Sequence, residues 1–144
     1  MKFDLGRDLF DACIAGDLSR VEEVLEKSDS SCLVWRDMDG RTALHAAIES
    51  RNVEMAARLL AAGAKTSAVD RIGDTPLHLA LHVELEGSNT SDNQLVLTRL
   101  LLDAGADPAA PGSDRTPAIG LARLYKSVEA ERLLSAHLEK KSAE

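Results

Sequence analysis

The stretch Gly40-Arg41-Thr42-Ala43-Leu44-His45-Ala46-Ala47 recurs 33 residues later as Gly73-Asp74-Thr75-Pro76-Leu77-His78-Leu79-Ala80. A weaker third copy spans residues 114–122, and its Thr116 lies 41 residues beyond Thr75. Self-similarity at a fixed spacing is the sequence signature of a stacked repeat. The chain is therefore predicted to be a series of similar short units that pack side by side.

Each copy is followed by a leucine-rich segment with helical periodicity, at residues 53–60, 95–102 and 128–134. Two further segments of this kind, residues 8–15 and 18–25, indicate one more unit ahead of the others. We interpret each of the four units as two short helices followed by an extended connector. Because one helix pair cannot bury its apolar side alone, the units are expected to stack.

Local signals mark where these helices begin and end. Thr75 and Thr116 can cap the free backbone N–H groups of a helix, and the proline after each sits where a helix needs no donor. Glycines such as Gly63 and Gly105 end the second helices, as a left-handed cap requires. The segments 37–40 and 70–73 have the composition of turns, which places tight connections between the units.

The 33-residue spacing, Gly-x-Thr-Pro-Leu-His-x-Ala and the ending Leu-Leu-x-x-Gly-Ala together resemble ankyrin repeats. The resemblance is close in two units, recognisable in all four, and spans residues 5–138. It implies an all-α solenoid of stacked helix-turn-helix units joined by short β-hairpins. It also implies a concave face, formed by the first helices and the hairpins, that binds other proteins.

We expect one domain over residues 1–138, with units at about 5–35, 36–69, 70–110 and 111–138, followed by a charged, frayed tail over 139–144. The first unit lacks the Thr-Pro-Leu-His start and the fourth carries Glu131 and Ser135 at apolar positions, so both resemble caps. Nine extra residues in the third unit predict a polar, mobile excursion over 84–93. One further residue is placed between Thr116 and Ala122.

The composition excludes several classes of function. The 144 residues are 44% hydrophobic and only 3% aromatic, and the net charge is −7, which disfavours nucleic acid as a partner. Two cysteines are too few for a disulfide framework, which fits a reducing, cytoplasmic location. No apolar run has the length of a membrane span or the form of a signal peptide, so no membrane partner is expected.

His78 and His82 stand four residues apart on one predicted helix, and with Glu84 or Glu86 their residue types and spacing match those of zinc ligands. The resemblance favours another role for His78, because the family uses this repeat position for packing and hydrogen bonding. No metal site is therefore expected, although His82 remains free for other contacts.

No catalytic site is expected either. The chain has no nucleophile-elbow motif, no phosphate-binding loop and no dinucleotide-binding glycines, so neither an enzyme activity nor a cofactor is predicted. Cys13 lies in a helix predicted to face the core and is expected to be buried and inert. Cys32 lies in a connector, where exposure is the expectation.

The outward-pointing positions of the family, carried over to this chain, give a candidate partner-binding surface. Four of its arginines are expected to project from an acidic body, and arginine pairs well with carboxylates, so a partner with an acidic patch is expected. The alternative is that Asp39 and Asp74 neutralise these arginines as solvated pairs. The hairpin side comprises Trp35, Arg36, Met38, Asp39, Arg41, Arg71, Ile72, Asp74 and Arg115, and the inner helices contribute His82, Leu124 and Tyr125.

Two aromatic residues of this surface are predicted to have different roles. Tyr125 is the candidate anchor, since a rigid aromatic ring with a polar tip is a common hot-spot residue. Trp35 either contacts a partner or covers the first unit. Arg41, Arg71 and Arg115 are expected to form a row beside the groove.

The leading functional hypothesis is a non-catalytic protein-binding module, monomeric when isolated, that acts as a small inhibitor, an immunity-type protein or an adaptor. Two alternatives from other classes stay open. One is a self-assembling structural protein, and the other is an enzyme with an unrecognised site.

Overall fold

The computed structural model describes residues 4–86 and 95–143. Throughout these ranges the regular elements are helical, apart from one isolated β-bridge between Pro111 and Pro117. A short 3-10 turn, Ser113–Arg115, precedes the eighth helix. The α-helices are α1 (Leu5–Ala15), α2 (Leu18–Lys27), α3 (Ser31–Val34), α4 (Ala43–Glu49), α5 (Val53–Ala61), α6 (Pro76–Leu85), α7 (Val96–Asp103), α8 (Ala118–Leu124) and α9 (Val128–Ala143).

Eight of these helices form four pairs, α1 with α2, α4 with α5, α6 with α7, and α8 with α9. The first helices of successive pairs contact one another in the order α1, α4, α6, α8, and the second helices in the order α2, α5, α7, α9. This two-layer stack confirms the all-α solenoid. The short helix α3 lies in the first connector and packs on α1 and α4, an element that the sequence analysis does not predict.

Leucine and alanine dominate the core between the layers. Ala47, Ala80 and Ala122 occupy equivalent positions in the first helices and are fully buried, so small side chains let neighbouring helices approach closely. The branched side chains fill the space between the pairs. The largest fully buried side chains include Leu9, Leu44, Ile48, Met55, Leu59, Leu77, Leu81, Leu97, Leu101 and Leu134.

Threonine occupies the cap position of the first helices in the second and third units, and the cap predicted at Thr75 is present. Thr75 Oγ1 accepts a hydrogen bond from the backbone N–H of His78 and lies 2.7 Å from Nδ1 of the same histidine. In the second unit, Nδ1 of His45 lies 2.9 Å from Thr42 Oγ1 and accepts the Thr42 N–H at 3.1 Å. Each histidine ring therefore folds back onto the start of its own helix.

The fourth unit has a different cap from the predicted one. The backbone N–H of Leu121 donates to the Pro117 carbonyl at 3.2 Å, and the equivalent bonds of the second and third units end on the carbonyls of Thr42 and Thr75. Pro117 therefore occupies the cap position, and Thr116 lies one residue before it. Proline has no side-chain acceptor for the free N–H groups, so α8 starts without a side-chain cap.

The turn before α8 shows why the register differs. Gly112 N–H donates to the Thr116 carbonyl at 2.9 Å, and Asp70 N–H donates to the Asp74 carbonyl at 3.0 Å, so Thr116 is the counterpart of Asp74. The offset between the third and fourth units is thus 42 residues from the turn through the first helix. No residue is inserted between Thr116 and Ala122, which corrects that expectation: the nine extra residues of the third unit account for the whole difference.

The connectors are turns in place of the expected β-hairpins. Each is closed by one backbone hydrogen bond of the kind seen between Asp37 N–H and the Arg41 carbonyl, which is too few to make strands. The first and second turns are joined by a backbone hydrogen bond, from the Arg71 N–H to the Asp39 carbonyl at 2.8 Å. Gly40 has φ 74°, and a Cβ there would lie 2.9 Å from the Arg71 nitrogen, so only glycine fits this junction.

Two segments differ from expectation at helix ends. Helix α9 continues through Ala143, so residues 139–143 are helical instead of frayed. Helix α6 extends to Leu85, so Glu84 and Leu85 of the excursion expected over 84–93 are helical. Residues 87–93 of that excursion lie outside the described residues. Across the described ranges, none of the helices combines the length and the apolar character needed to cross a bilayer.

Candidate functional site

The turns at residues 37–41, 70–74 and 112–116 lie side by side in successive units. Asp39 and Arg71 join the first two through their backbones, and the Asp74 carboxylate accepts the Ser113 N–H of the third at 2.7 Å. Most of the predicted partner-binding residues lie on these turns or at the ends of the first helices. We call the surface formed by the three turns and the C-terminal ends of α4, α6 and α8 the inner face.

Arg41 is held inside this surface instead of projecting from it. Its guanidinium donates to Asp37 at 3.1 Å and to Glu49 at 2.5 Å, lies 3.7 Å from Asp39, and sits 5.9 Å from the Phe10 ring centre. Burial tends to raise the pKa of Asp37, but hydrogen bonds from Arg41 outweigh it and the pKa lies below its usual value. Arg41 is therefore a structural residue, which corrects its predicted place in an exposed row.

Arg36 is also committed to the fold, because its guanidinium donates to the carbonyls of Gly40 and Val69 and so braces two neighbouring turns. Arg71 and Arg115 remain exposed on the second and third turns. Of the four arginines predicted to project, Arg36 and Arg41 are thus held by contacts within the fold. Two acids were expected to neutralise these arginines. Asp39 lies 3.7 Å from Arg41, whereas Asp74 accepts a hydrogen bond from Ser113 and does not pair with an arginine in the described residues.

Asp74 is buried, which contradicts its predicted place on an exposed surface. Its Oδ1 accepts the Ser113 N–H, and its Oδ2 lies 3.8 Å from Nε2 of His82. Gly112 makes this junction possible, because a Cβ on it would overlap the His78 ring and the Asp74 carboxylate. The role of Gly112 could not be predicted from the sequence, since its backbone is not left-handed and no turn rule demands glycine there.

His82 and Tyr125 contact each other, although 43 residues separate them. Nδ1 of His82 lies 2.7 Å from the Tyr125 hydroxyl, and the two rings meet edge to face with centres 5.8 Å apart. Both side chains are half-buried. Burial, and secondly the charge of Glu86, raise the pKa of Tyr125, so the hydroxyl keeps its proton at neutral pH.

Large apolar side chains are exposed at both edges of the inner face. Met38 is 95% exposed and Ile72 is 67% exposed, on neighbouring turns. Leu124, at the end of α8, is 72% exposed. Val128, just beyond it, is 60% exposed and is absent from the sequence-based candidates. Exposed side chains of this size add little to the stability of the stack, so they are available to a partner.

Trp35 covers the first unit. Its ring packs on Phe10 with centres 5.4 Å apart, and the backbone of α1 approaches it so closely that a Cβ on Gly6 would overlap the Trp35 side chain. The residue is half-buried against the core. Of its two predicted roles, the structure shows the structural one.

The two repeat histidines have structural partners. Nε2 of His78 lies 2.9 Å from the Thr116 carbonyl of the next unit, and its Nδ1 lies against Thr75, so both ring nitrogens are used. Burial lowers the pKa of His45 and of His78 below 6.5. Among the described residues, histidine, cysteine and carboxylate side chains nowhere gather in a set that fits a metal ion.

Both cysteines are buried and free. Cys13 is in the core as predicted, and burial raises the pKa of its thiol to about 12. Cys32, expected to be exposed, is instead buried on the short helix α3, where its Sγ lies 3.4 Å from the Asp29 carbonyl. The reason is that α3 folds a segment read as an open connector back onto the first unit.

Comparisons with known proteins agree with this architecture. The family model for ankyrin repeats in three copies matches residues 9–111. A putative ankyrin repeat-containing protein of Treponema pallidum is 34% identical over 122 residues, which is 85% of this chain. Neurogenic locus notch homolog protein 1 of Xenopus tropicalis is 34% identical over 104 residues, or 72% of this chain.

Among solved structures, an ankyrin repeat domain from Acinetobacter baumannii AYE is similar, with a TM-score of 0.77 and 30% identity over 90% of this chain. The chain spans 63% of that structure, 38% of the Treponema protein and 4% of the Xenopus protein. Ankyrin repeats are in general protein-protein interaction modules and are typically non-enzymatic. From its repeat register, its stack and these matches, the chain belongs to the ankyrin repeat family.

Proposed function

We propose that this protein is a non-catalytic module that binds a partner protein through its inner face, which corresponds to the concave groove and hairpin tips of the family. The observation that carries this proposal is the exposure of Met38 and Ile72 on adjacent turns. The Arg71 N–H ties these turns together, so the two side chains are presented on a braced surface. An apolar pair on a rigid edge suits the core of an interface, where apolar contact provides most of the affinity.

The charges beside this pair suggest the character of the partner surface. Arg71 and Arg115 are exposed on the second and third turns, whereas Arg36 and Arg41 are occupied within the fold. We infer that the partner carries carboxylates opposite Arg71 and Arg115, in keeping with an acidic patch. Such a module, monomeric and cytoplasmic, would act as a small inhibitor, an immunity-type protein or an adaptor.

The side-chain chemistry of the inner face supports binding over catalysis. The Tyr125 hydroxyl contacts His82 on this face, and its raised pKa makes it a poor nucleophile. The Cys13 thiol is buried and strongly protonated at neutral pH. Neither group offers the activated nucleophile that covalent catalysis needs.

The test compares three forms of the full chain as bait in a lysate of the source organism. The first is wild type, the second carries Met38→Ser with Ile72→Ser, and the matched control carries Val53→Ser with Val96→Ser on the second helices. A protein retained by wild type and by the control but lost from the turn variant supports the proposal. Loss from the control alone would place binding on the second helices, and recovery of the chain itself would indicate self-assembly.

A further inference from the structure

Asp74, His82 and Tyr125 form a continuous row of polar side chains across the third and fourth units. Nδ1 of His82 lies 2.7 Å from the Tyr125 hydroxyl, and Nε2 lies 3.8 Å from Oδ2 of Asp74. The other carboxylate oxygen of Asp74 accepts the Ser113 N–H at 2.7 Å. Because the backbone of the fourth unit holds this carboxylate, its negative charge is a fixed feature beside His82.

The position of this charge decides where the neutral imidazole carries its hydrogen. A neutral histidine has a hydrogen on one ring nitrogen and a lone pair on the other. The carboxylate of Asp74 faces Nε2 and favours the hydrogen there, since the N–H dipole then directs its positive end at the charge. Nδ1 is left as an acceptor, so the Tyr125 hydroxyl donates to it.

Tyr125 keeps the hydrogen that this bond requires, because burial and the charge of Glu86 both oppose its ionisation and raise its pKa. Its single hydroxyl hydrogen is therefore directed inward, at His82. What remains on the outer side of the hydroxyl is an oxygen lone pair. On the outer side, the Tyr125 oxygen is therefore available to accept a hydrogen bond.

We propose that the Asp74–His82–Tyr125 row makes Tyr125 a hydrogen-bond acceptor for the partner, and that the partner places a cationic N–H donor, a lysine or arginine side chain, on it. This inference rests on the proposed function, because it names the chemistry that the fourth unit of the inner face accepts. Leu124, adjacent in the chain and 72% exposed, offers apolar surface to the aliphatic stem of such a side chain.

The charges around the row are compatible with a cation. Asp74 faces His82, and Glu86 acts on Tyr125. On the neighbouring first helix, Glu49 is already paired with Arg41. The cations near the end of α8 are Arg123, which pairs with Glu131 of α9 at 3.1 Å, and exposed Lys126. A cationic side chain from the partner would therefore meet the exposed Glu86 carboxylate, and the buried Asp74 carboxylate beside His82 would add attraction at longer range. Among the described residues, no lysine or arginine forms an ion pair with either carboxylate.

The first experiment determines the tautomer of His82 by NMR on the full chain with 15N-labelled histidine, at a pH where neutral imidazole dominates. His82→Gln assigns its signals among the four histidines. We expect the Nε2–H tautomer in wild type, an altered Nδ1 resonance in Tyr125→Phe, and a larger share of the other tautomer in Asp74→Asn. A wild-type His82 with its hydrogen on Nδ1 would overturn the inference, since Tyr125 would then direct its hydrogen outward.

The second experiment tests the ligand chemistry with two probes of matched chain length, n-butylguanidinium and pentanoate. We expect butylguanidinium, and not pentanoate, to shift the Tyr125 ring and Leu124 methyl signals. Tyr125→Phe should weaken this response about fivefold, the effect of losing one hydrogen bond. Val53→Ala serves as a control that retains the response. Equal shifts with pentanoate, or none with either probe, would contradict the cationic partner group.

These outcomes are separable from failure of the proposed function. The tautomer is a property of the isolated chain and does not depend on where a partner binds. If the Met38 and Ile72 variant loses the partner while pentanoate is preferred at Tyr125, this inference alone is wrong. If binding maps to the second helices while the tautomer is as expected, the proposed function alone is wrong.

Discussion

The side chain of Glu84, at the end of α6, caps the first turn of α7 by accepting the Thr98 backbone N–H at 3.1 Å and its hydroxyl at 2.6 Å. It also accepts the Leu97 N–H at 2.6 Å. Leu95, directly before α7, has φ 50° and no polar side chain with which to cap the helix. Glu84 of α6 therefore provides the N-terminal cap of α7.

Glu84→Gln should weaken this cap, because an amide offers one acceptor oxygen where the carboxylate offers two and loses the attraction to the helix N-terminus. We expect a loss of about 1–2 kcal/mol in the free energy of unfolding. Urea denaturation followed by circular dichroism measures it. Glu86→Gln removes the same charge from an exposed residue and should change little. Equal stability of the two variants would contradict the cap.

Gly112→Ala should destabilise the junction between the third and fourth units. The added methyl group meets the His78 ring and the Asp74 carboxylate, so the two turns must separate. Overpacking of this kind costs about 1–3 kcal/mol. Ser113→Ala, at the next position, keeps the backbone N–H that Asp74 accepts and is the matched control. If Gly112→Ala melts at the same temperature as wild type, the two units tolerate a wider spacing and the prediction is wrong.

Leu77→Ala and Leu101→Ala should each cost about 2–5 kcal/mol, because both side chains are buried and their removal leaves cavities. Leu124→Ala removes the same atoms from an exposed site and should have a small effect on stability. Melting temperatures of the three variants give the comparison. If all three match wild type, the two leucines do not lie between packed units.

The buried Cys13 thiol predicts a loss of stability at alkaline pH. Its pKa rises from 9.0 in the unfolded chain to about 12 in the fold, so the folded state holds the proton more tightly. The contribution is complete below pH 9 and is lost as the pH rises from 9 to about 12. Unfolding free energies measured at several pH values should fall more steeply for wild type than for Cys13→Ala. Parallel curves would show that the thiol has no part in this dependence.

Once a partner is identified, charge and apolar variants of the inner face should affect different rates. Arg71→Glu with Arg115→Glu should mainly slow association and weaken its salt dependence, since exposed charges act on the encounter. Tyr125→Ala should mainly speed dissociation, because it removes a contact formed only after docking. Surface plasmon resonance at two salt concentrations measures both rates. Unchanged rates, with melting unchanged, would exclude these residues from the interface.

Much of the fold follows from local patterns in the chain. Helical periodicity identifies both helices of each unit, and the threonines before α4 and α6 mark their starts because a cap depends on residues only three positions apart. The same local rule fails at Thr116. There the preceding turn, and not the Thr-Pro motif, determines which residue caps α8, so Pro117 takes the position.

The repeat length, the helix pairs and the family could be predicted from the order of residues along the chain. These depend on residues close together in the chain, whose periodicity and caps act within one unit. Three contacts depend on how the units stack and could not be predicted this way: Arg41 is enclosed by carboxylates, Asp74 is buried against Ser113, and His82 contacts Tyr125. Side chains from different units come into contact through the stacking of helices, and whether a polar side chain points inward or outward depends on those neighbours.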